Sequence, residues 1–423
     1  MYSYLRALPA CLAGHALYAQ QRPADVGLMA TIAATRVSPA VFGDARTEAA
    51  LVQPVIMGTW RRDRWALTGT LNGEGITLRR GWLNPGSYGE GYIDRRHPHT
   101  LVHELMGSVR AAPAGPLAFS LAAGKGFVPF GTDDPMMRPF TTYPVNHHHA
   151  QIIERVQVIG GLRLSRGERA MVFEQAWFNG DEPVGPFTGP QWDRVGDSRS
   201  ARLTLIPRAS VELQASHAFV RSPGIVQGGA FDHRQSDVAI RYDRGAEEAH
   251  GAHDAHRYLM AEWARTDEGI GGVRAFRYES LLAEGLMSRG RWSGALRFER
   301  TDRPESSRLL DPFRTPTGHI DFQIVGITRW TVVTGQVAAP AVAMPMLPRH
   351  RLTPFVEVAA SQAEAQRRPT VFEPRTFFGA STLWSVTAGL RLHVGHMRAR
   401  MGRYGVLAPP APTVGPSSHT PHP

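Results

Sequence analysis

The feature that most constrains this chain is an alternating pattern that repeats along most of its length. Segments of about ten residues alternate apolar and polar side chains, and short and long connections alternate between them. In the last segment, Trp384, Val386 and Ala388 are interleaved with Ser385 and Thr387. A period of two places the two sets on opposite faces of a strand. One apolar face and one charged face along the whole chain are typical of a transmembrane β-barrel with a wet interior.

The segments predict an all-β fold, a transmembrane antiparallel up-and-down β-barrel of about 16 strands. Fourteen strands also fit, because the stretch 333–349 is Pro-rich and long for a turn. The predicted strands lie near 26–36, 50–60, 64–73, 100–111, 115–126, 150–165, 170–180, 198–207, 210–222, 233–244, 256–267, 274–287, 290–301, 319–332, 350–362 and 382–395.

Composition excludes several other classes of protein. No run approaches the roughly 18 apolar residues of a spanning helix. The net charge of +10 comes from arginines spread over nearly every segment, and Lys125 is the only lysine. Nucleic-acid binders concentrate such charge on one patch, so we expect no nucleic-acid partner. The sequence has no nucleophile elbow, P-loop or zinc-protease motif, and it predicts no enzyme.

The two ends of the chain differ from the repeated segments. Residues 1–19 predict a signal peptide, which contains the only cysteine, Cys11. Residues 20–396 form the predicted outer-membrane barrel. Residues 397–423 are Pro-rich and predict a disordered tail on the periplasmic side.

Strand parity assigns a set of charged residues to the interior. Opposite charges on neighbouring strands can brace the wall through cross-strand pairs, or they can line a selective path for ions. Loop 127–149 is the predicted filler of the pore, with Asp133 and Asp134 at the constriction. The predicted pore-lining residues are Glu104, Arg110, Arg155, Arg163, Arg202, Glu212, Arg241, Glu279, Arg297, Glu299, Arg329, Glu357 and Arg391.

Two groups of histidines lie at the predicted outer ends of strands. Imidazoles at this spacing can share a transition metal such as copper, zinc or nickel. A solvated or structural role is the alternative. By parity, His103 shares a face with leucines, so we expect it to point towards lipid. The predicted rim ligands are His97, His99, His147, His148 and His149.

Several segments resemble a loosely characterised family of bacterial outer-membrane barrels. They are 89–99 (GEGYIDRRHPH), 103–105, 178–183 and 197–203. Thr100 stands where the family usually has an acidic residue after its Asp-Arg-x-His-Pro-His segment, which weakens a metal role carried over from the family. The resemblance implies an envelope location and a porin-like barrel, with no established substrate.

Pattern and resemblance together predict passive passage of small hydrophilic solutes or ions across the outer membrane. The alternative is a closed barrel that acts as a receptor or structural envelope protein, with a transition metal at its outer rim. The expected partners are outer-membrane lipid, the barrel-assembly machinery and the solutes or ions themselves.

Overall fold

Sixteen antiparallel strands form one closed barrel in the computed structural model. The structure describes residues 24–39, 45–77, 99–112, 115–145, 147–183, 185–223, 229–245, 256–306, 324–342, 350–366 and 371–408. In chain order, β1 to β16 are Ala24–Ser38, Arg46–Arg62, Trp65–Asn72, Val102–Ala111, Leu117–Gly126, Arg155–Arg166, Arg169–Phe178, Ser198–Arg208, Val211–Val220, Asp232–Arg244, Arg257–Ile270, Val273–Arg289, Trp292–Ser306, Ile324–Ala338, His350–Ala365 and Thr382–Gly395. Short α-helices follow at α1 (Glu74–Thr77), α2 (His147–Ala150) and α3 (Pro374–Phe378), with 3-10 turns at Pro135–Met137 and Gly405–Leu407.

The fold class and the strand count of sixteen are confirmed. Each strand pairs with its neighbour in sequence, and β1 pairs with β16 from Gly27–Gly395 to Ser38–Trp384, which closes the barrel. Because the ring of described strands is closed, each strand pairs on both edges. A sheet in lipid requires this, because no water is available there to hydrogen-bond the backbone groups of an unpaired edge. All sixteen strands overlap the segments that alternation predicts.

The connections divide the barrel into a turn end and a loop end. The turn end holds both ends of the strand sequence and tight turns such as those after β2, β6 and β12. The loop end holds the long connections after β3, β5 and β7. Some connections depart from this pattern. Gly271 and Gly272, both with positive φ, form a tight turn between β11 and β12 at the loop end, and the connections from β10 to β11 and from β14 to β15 are long although they lie at the turn end.

The two faces of the wall differ in chemistry as predicted. Large apolar side chains are exposed on the outer face, among them Ile32, Leu121, Val238 and Leu296. On the inner face, polar side chains such as Thr334 are buried. Among the described residues, no helix has the length and apolar content needed to cross a bilayer. The wall is therefore a membrane-spanning barrel whose lipid face is apolar and whose interior is polar.

Two predicted inward-facing residues, Glu279 and Arg329, lie on the outer face, and the prediction was wrong for them. Glu279 is the cross-strand partner of Arg265, in a group of charged side chains towards the loop end. Arg329 lies on β14 beside Trp330, which is fully buried and packs inward against Phe378. Long strands extend beyond the apolar band, and there the outer face can carry charge.

Among the described residues, two long segments enter the interior, in addition to α3, whose Phe378 packs against Trp330. The inner loop, residues 127–154, connects β5 to β6 and folds into the barrel. The C-terminal segment, residues 396–408, turns back from the end of β16 through the turn end, and its Met401, Tyr404 and Val406 are buried. We predicted a disordered tail from 397; the structure places 397–408 inside the barrel, because apolar and arginine side chains find partners there. Residues 409–423 and the predicted signal peptide lie outside the described residues.

Candidate functional site

The interior is the candidate functional site, and most of the predicted charged residues face it. Their side chains contact the inner loop, the C-terminal segment or one another, except Arg110, which is exposed at the turn end. The predicted residues that face the interior are Glu104, Arg110, Arg155, Arg163, Arg202, Glu212, Arg241, Arg297, Glu299, Glu357 and Arg391. Whether they line a conducting path stays a prediction.

The inner loop crosses the barrel and is held on its far wall by backbone contacts. Glu357 on β15 accepts hydrogen bonds from the amides of Thr141 (2.8 Å) and Thr142 (3.0 Å). Glu299 on β13 accepts one from the amide of Val145 at 2.6 Å. Carboxylates that bind loop amides satisfy backbone groups that would otherwise be buried without partners. The acidic wall residues thus hold the loop in place.

Asp133, one of the two predicted constriction residues, joins the inner loop to the wall and to the C-terminal segment. It accepts hydrogen bonds from Arg241 on β10 at 2.7 Å and from Arg403 at 3.1 Å, and it also pairs with Arg400. Glu212 on β9 pairs with the same two C-terminal arginines, at 2.7 Å and 3.1 Å. Two carboxylates and three guanidinium groups therefore form one network.

Glu104 on β4 anchors the C-terminal segment to a second part of the wall, five strands from Glu212 on β9. It accepts hydrogen bonds from Arg398, from the phenol of Tyr404 at 2.6 Å and from Thr70 at 2.7 Å. Glu104 is buried, and its neighbours satisfy both oxygens. Gly405, with φ of 54°, passes so close to Ser120 that a Cβ there would lie 2.2 Å from the hydroxyl oxygen. The segment is therefore packed tightly against the wall.

His103 points into the barrel, and the prediction of a lipid-facing side chain was wrong. Thr70 pairs with Glu104 and Leu71 pairs with Val102, so His103 is the extra residue of a β-bulge. A bulge turns two consecutive side chains to one face, which parity cannot anticipate. His103 and Glu104 are both buried inside, whereas Val102 and Leu105 are exposed outside.

The bulge places His103 between two carboxylates of the inner loop. Its Nδ1 lies 2.7 Å from Oε1 of Glu154, which also accepts hydrogen bonds from the amide and hydroxyl of Thr100. Its Nε2 lies 3.5 Å from Oδ2 of Asp134, and within the described part of the chain neither of these atoms has a hydrogen-bond partner. The other oxygen of Asp134 accepts the amide of Met136 at 2.7 Å.

His99 and Glu74 complete the group at the same place. The rings of His99 and His103 are 4.8 Å apart and perpendicular, and the His99 Nε2 lies 4.0 Å from Oε2 of Glu74. His147 lies with its ring 6.2 Å from that of His99. We call these residues the histidine–carboxylate cluster: Glu74, His99, His103, Asp134, His147 and Glu154.

The positions of two carboxylates of the cluster, Glu154 and Glu74, depend on residues with positive φ, a conformation that residues other than glycine rarely adopt. Glu154 has φ of 61°, and Gln53, whose amide donates to Oε1 of Glu74 at 3.0 Å, has φ of 52°. Non-glycine residues in this region cost on the order of 1 kcal/mol or more and persist where surrounding contacts hold them. The cluster is therefore held in one arrangement from several directions.

The carboxyl groups of the cluster differ in proton affinity. Burial raises the pKa of Glu74 to about 7, although hydrogen bonds from Gln53 and Asn72 oppose the rise. Burial also acts to raise the pKa of Glu154, but the hydrogen bond and charge of His103 and the charges of His99 and Lys125 outweigh it and lower it to about 2. The pKa of Asp134 is likewise lowered to about 2 by His103 and its neighbours.

The predicted rim histidines separate into three groups. His99 and His147 belong to the cluster, which lies inside the wall and not at the solvated rim. His149 points elsewhere, because its ring stacks on Tyr278 at 5.3 Å and its Nδ1 lies 3.3 Å from Thr266. His97 and the side chain of His148 lie outside the described residues.

Sequence reasoning missed several residues that shape the interior, among them Glu74, Glu154, Lys125 and Arg398. Three of these four lie outside strands, where alternation gives no signal. Lys125 was detectable as the only lysine; it donates to the hydroxyl of Thr100 and, at 2.8 Å, to the carbonyl of Val102.

Comparisons with known proteins give structural neighbours at low sequence identity. No known family model and no curated protein matches the chain. Among solved structures, it is similar to the anion-selective porin from Comamonas acidovorans, with 10% identity, a TM-score of 0.47, and coverage of 88% of this chain and 99% of that one. It is also similar to the outer-membrane channel DcaP of Acinetobacter baumannii, with 9% identity, a TM-score of 0.44, and coverage of 88% and 97%. At this level of likeness, the strand topology itself remains the evidence for the fold.

Proposed function

We propose that this chain is a porin-like barrel of the outer membrane that gives small hydrophilic solutes or ions a narrow passage, without a catalytic step. The observation that supports this most is the closed ring of sixteen strands with an apolar outer face and a charged inner face. A barrel of this size has an interior wide enough for water unless something fills it. Lipid contacts its outer face, and we expect the barrel-assembly machinery to insert it.

The width of the passage depends on the two segments inside. The inner loop contacts β13 and β15, and the C-terminal segment contacts β4 and β9, so together they span much of the cross-section. Asp133 joins both segments. We therefore expect the C-terminal segment to act as a plug that reduces conductance from the turn end.

The second candidate function is a closed barrel that serves as a receptor or structural protein. The burial of inward side chains on many strands favours it, among them Thr31, Gln235, Glu284 and Thr334. In a wide, water-filled pore, side chains at mid-height would be solvated. The two candidates differ in what happens when the plug is removed.

Planar-bilayer recording on the refolded chain separates them. A variant that ends at His396 lacks the C-terminal segment but keeps all sixteen strands, and a variant that ends at Ala408 is the matched control. We expect channel events in the first variant with a conductance several-fold above that of the full chain, and no change in the control. If neither that variant nor one that also lacks 127–149 conducts, the passage is refuted and the closed barrel stands.

A further inference from the structure

The histidine–carboxylate cluster has the donor atoms and the spacing of a metal centre. The Nε2 of His103 and the Oδ2 of Asp134 are fully buried, face each other at 3.5 Å and have no hydrogen-bond partner among the residues that the structure describes. That separation is long for a hydrogen bond. Two ligands bound to one tetrahedral ion at about 2.1 Å each are about 3.4 Å apart, so the same separation suits two ligands of one ion.

The Nδ1 of His103 lies beside a carboxylate, as the metal-free nitrogen of a metal-bound histidine usually does. Nδ1 lies 2.7 Å from Glu154, so a neutral imidazole that donates its Nδ1 proton to Glu154 presents the lone pair of Nε2 to a metal ion. Metal-bound histidines almost always donate their other N–H to a carboxylate or carbonyl. Oε1 of Glu154 already accepts two hydrogen bonds from Thr100, so Glu154 serves better to orient His103 than to bind an ion directly.

Further donors lie at the same point. Ligand atoms of His99, His103 and Glu154 lie within 4.8 Å of one another. The ring of His147 lies 6.2 Å from that of His99, which places a further imidazole beside this group. One oxygen of Asp134 is fixed by the amide of Met136, which leaves the other directed at His103.

Charge also favours a cation at this place. Within the described part of the cluster and its direct contacts, the carboxylates of Asp134 and Glu154 face one lysine, Lys125, and the imidazoles, and Glu74 lies beside His99. A divalent ion would balance the carboxylates with the imidazoles neutral. Imidazole with carboxylate is a donor set for zinc, copper or nickel, whereas calcium prefers oxygen donors alone.

We propose that the cluster binds one divalent transition-metal ion, held by His103, Asp134 and His99 with His147 as the fourth donor, and that Glu154 orients His103. The site lies inside the barrel where the inner loop meets β4, so a bound ion fastens that loop to the wall. This proposal does not depend on whether the barrel conducts.

Zinc titration of the full-length refolded protein tests the site. The folded protein in detergent is stripped with a chelator and titrated with ZnCl₂ by calorimetry, with metal content measured after desalting. We expect one zinc per chain and N/O ligands at about 2.0–2.1 Å by X-ray absorption. Zinc should also slow amide exchange in the inner loop.

Matched variants locate the ion. His103→Gln and Asp134→Asn should each weaken zinc binding at least about 100-fold, and Glu154→Gln should weaken it by about 10–100-fold, as loss of an orienting carboxylate does. His149→Gln is the control, because His149 lies on the same short helix as His147 but its side chain packs on Tyr278. The zinc affinity of this variant should stay within twofold of the parent's. A heat-dependent shift in gel mobility confirms that each variant is folded.

Two outcomes overturn the proposal. One is a parent protein that retains no stoichiometric zinc, in which case His103 is an imidazolium held between two carboxylates. The other is an unchanged affinity in Asp134→Asn, which keeps its shape and so tests the site even if a histidine variant fails to fold.

Discussion

Replacing Asp133 by asparagine should release the C-terminal segment from the interior. Asp133 contacts Arg400 and Arg403 of that segment and Arg241 of the wall, and its side chain is only 2% exposed. Asparagine keeps the shape but removes the negative charge. Three guanidinium groups then lose a common acceptor, although Glu212 still pairs with both C-terminal arginines.

The expected loss can be estimated from these contacts. Removing one partner of a buried ion pair costs about 3–5 kcal/mol. Because Glu212 and Asp243 keep partial pairing for all three arginines, the low end applies, about 3 kcal/mol. At about 1.4 kcal/mol per factor of ten, the population with the segment released should rise about 100-fold.

Limited trypsin digestion measures that population, because Arg398, Arg400 and Arg403 are protected while the segment is inside. Cleavage follows the open fraction when reclosing is fast. Asp302→Asn is the matched control, since Asp302 is equally buried but pairs with Arg329 of the wall at 2.8 Å. Release of the C-terminal peptide at the parent rate in Asp133→Asn, or an equal acceleration in the control, would refute the reasoning.

Two further predictions concern the lipid face and the acid response. Val238 lies at the middle of β10 and is 52% exposed, so Val238→Arg should lower the free energy of unfolding in bilayers by about 2–4 kcal/mol. Val273→Arg, beside the β11–β12 turn, should lower it by only about 0–1 kcal/mol. Equal losses for the two variants in urea titrations would contradict the assigned membrane position. With metal removed by a chelator, the pKa values of Asp134 and Glu154 are lowered to about 2, so both carboxylates stabilise the folded inner loop. This stabilisation is complete above about pH 4.5 and is lost as the pH falls towards 2. The raised pKa of Glu74, about 7, works the other way, since its contribution is complete below about 4.5 and lost as pH rises through 7. Amide exchange of the inner loop, corrected for intrinsic rates, should therefore become faster both as the pH falls towards 2 and as it rises through 7. Glu154→Gln should diminish only the acceleration at low pH.

The sequence predicted the wall well because each strand repeats one local rule. Alternation and tight turns define sixteen segments, and closure then requires an even, fully paired ring. The errors occur where a local rule changes. A bulge reversed the face of His103. Glu279 and Arg329 lie on the outer face because strands that extend beyond the lipid band can carry charged side chains there.

The interior was less predictable because its contacts join residues far apart in the chain. Arg398 meets Glu104 across 294 positions, and Tyr404 meets the same carboxylate across 300. The Pro-rich stretch after 408 suggested a solvated tail, but residues 397–408 mix arginine, glycine, tyrosine and aliphatic side chains. That mixture was a signal for burial. The acidic partners of His103 lie in the inner loop, where no periodicity places them.

The path of the C-terminal segment also has a mechanical consequence. A thin cylinder deforms most easily by flattening into an oval, because hydrogen bonds along the wall resist stretching much more than bending. Within the segment, Arg398 pairs with Glu104 on β4 and Arg400 pairs with Glu212 on β9, so the two ion pairs form a chord between these strands. A chord between distant points of the circumference fixes their separation. The segment therefore acts as an internal strut, and a barrel that lacks it should fluctuate more in cross-section while every strand pair remains intact.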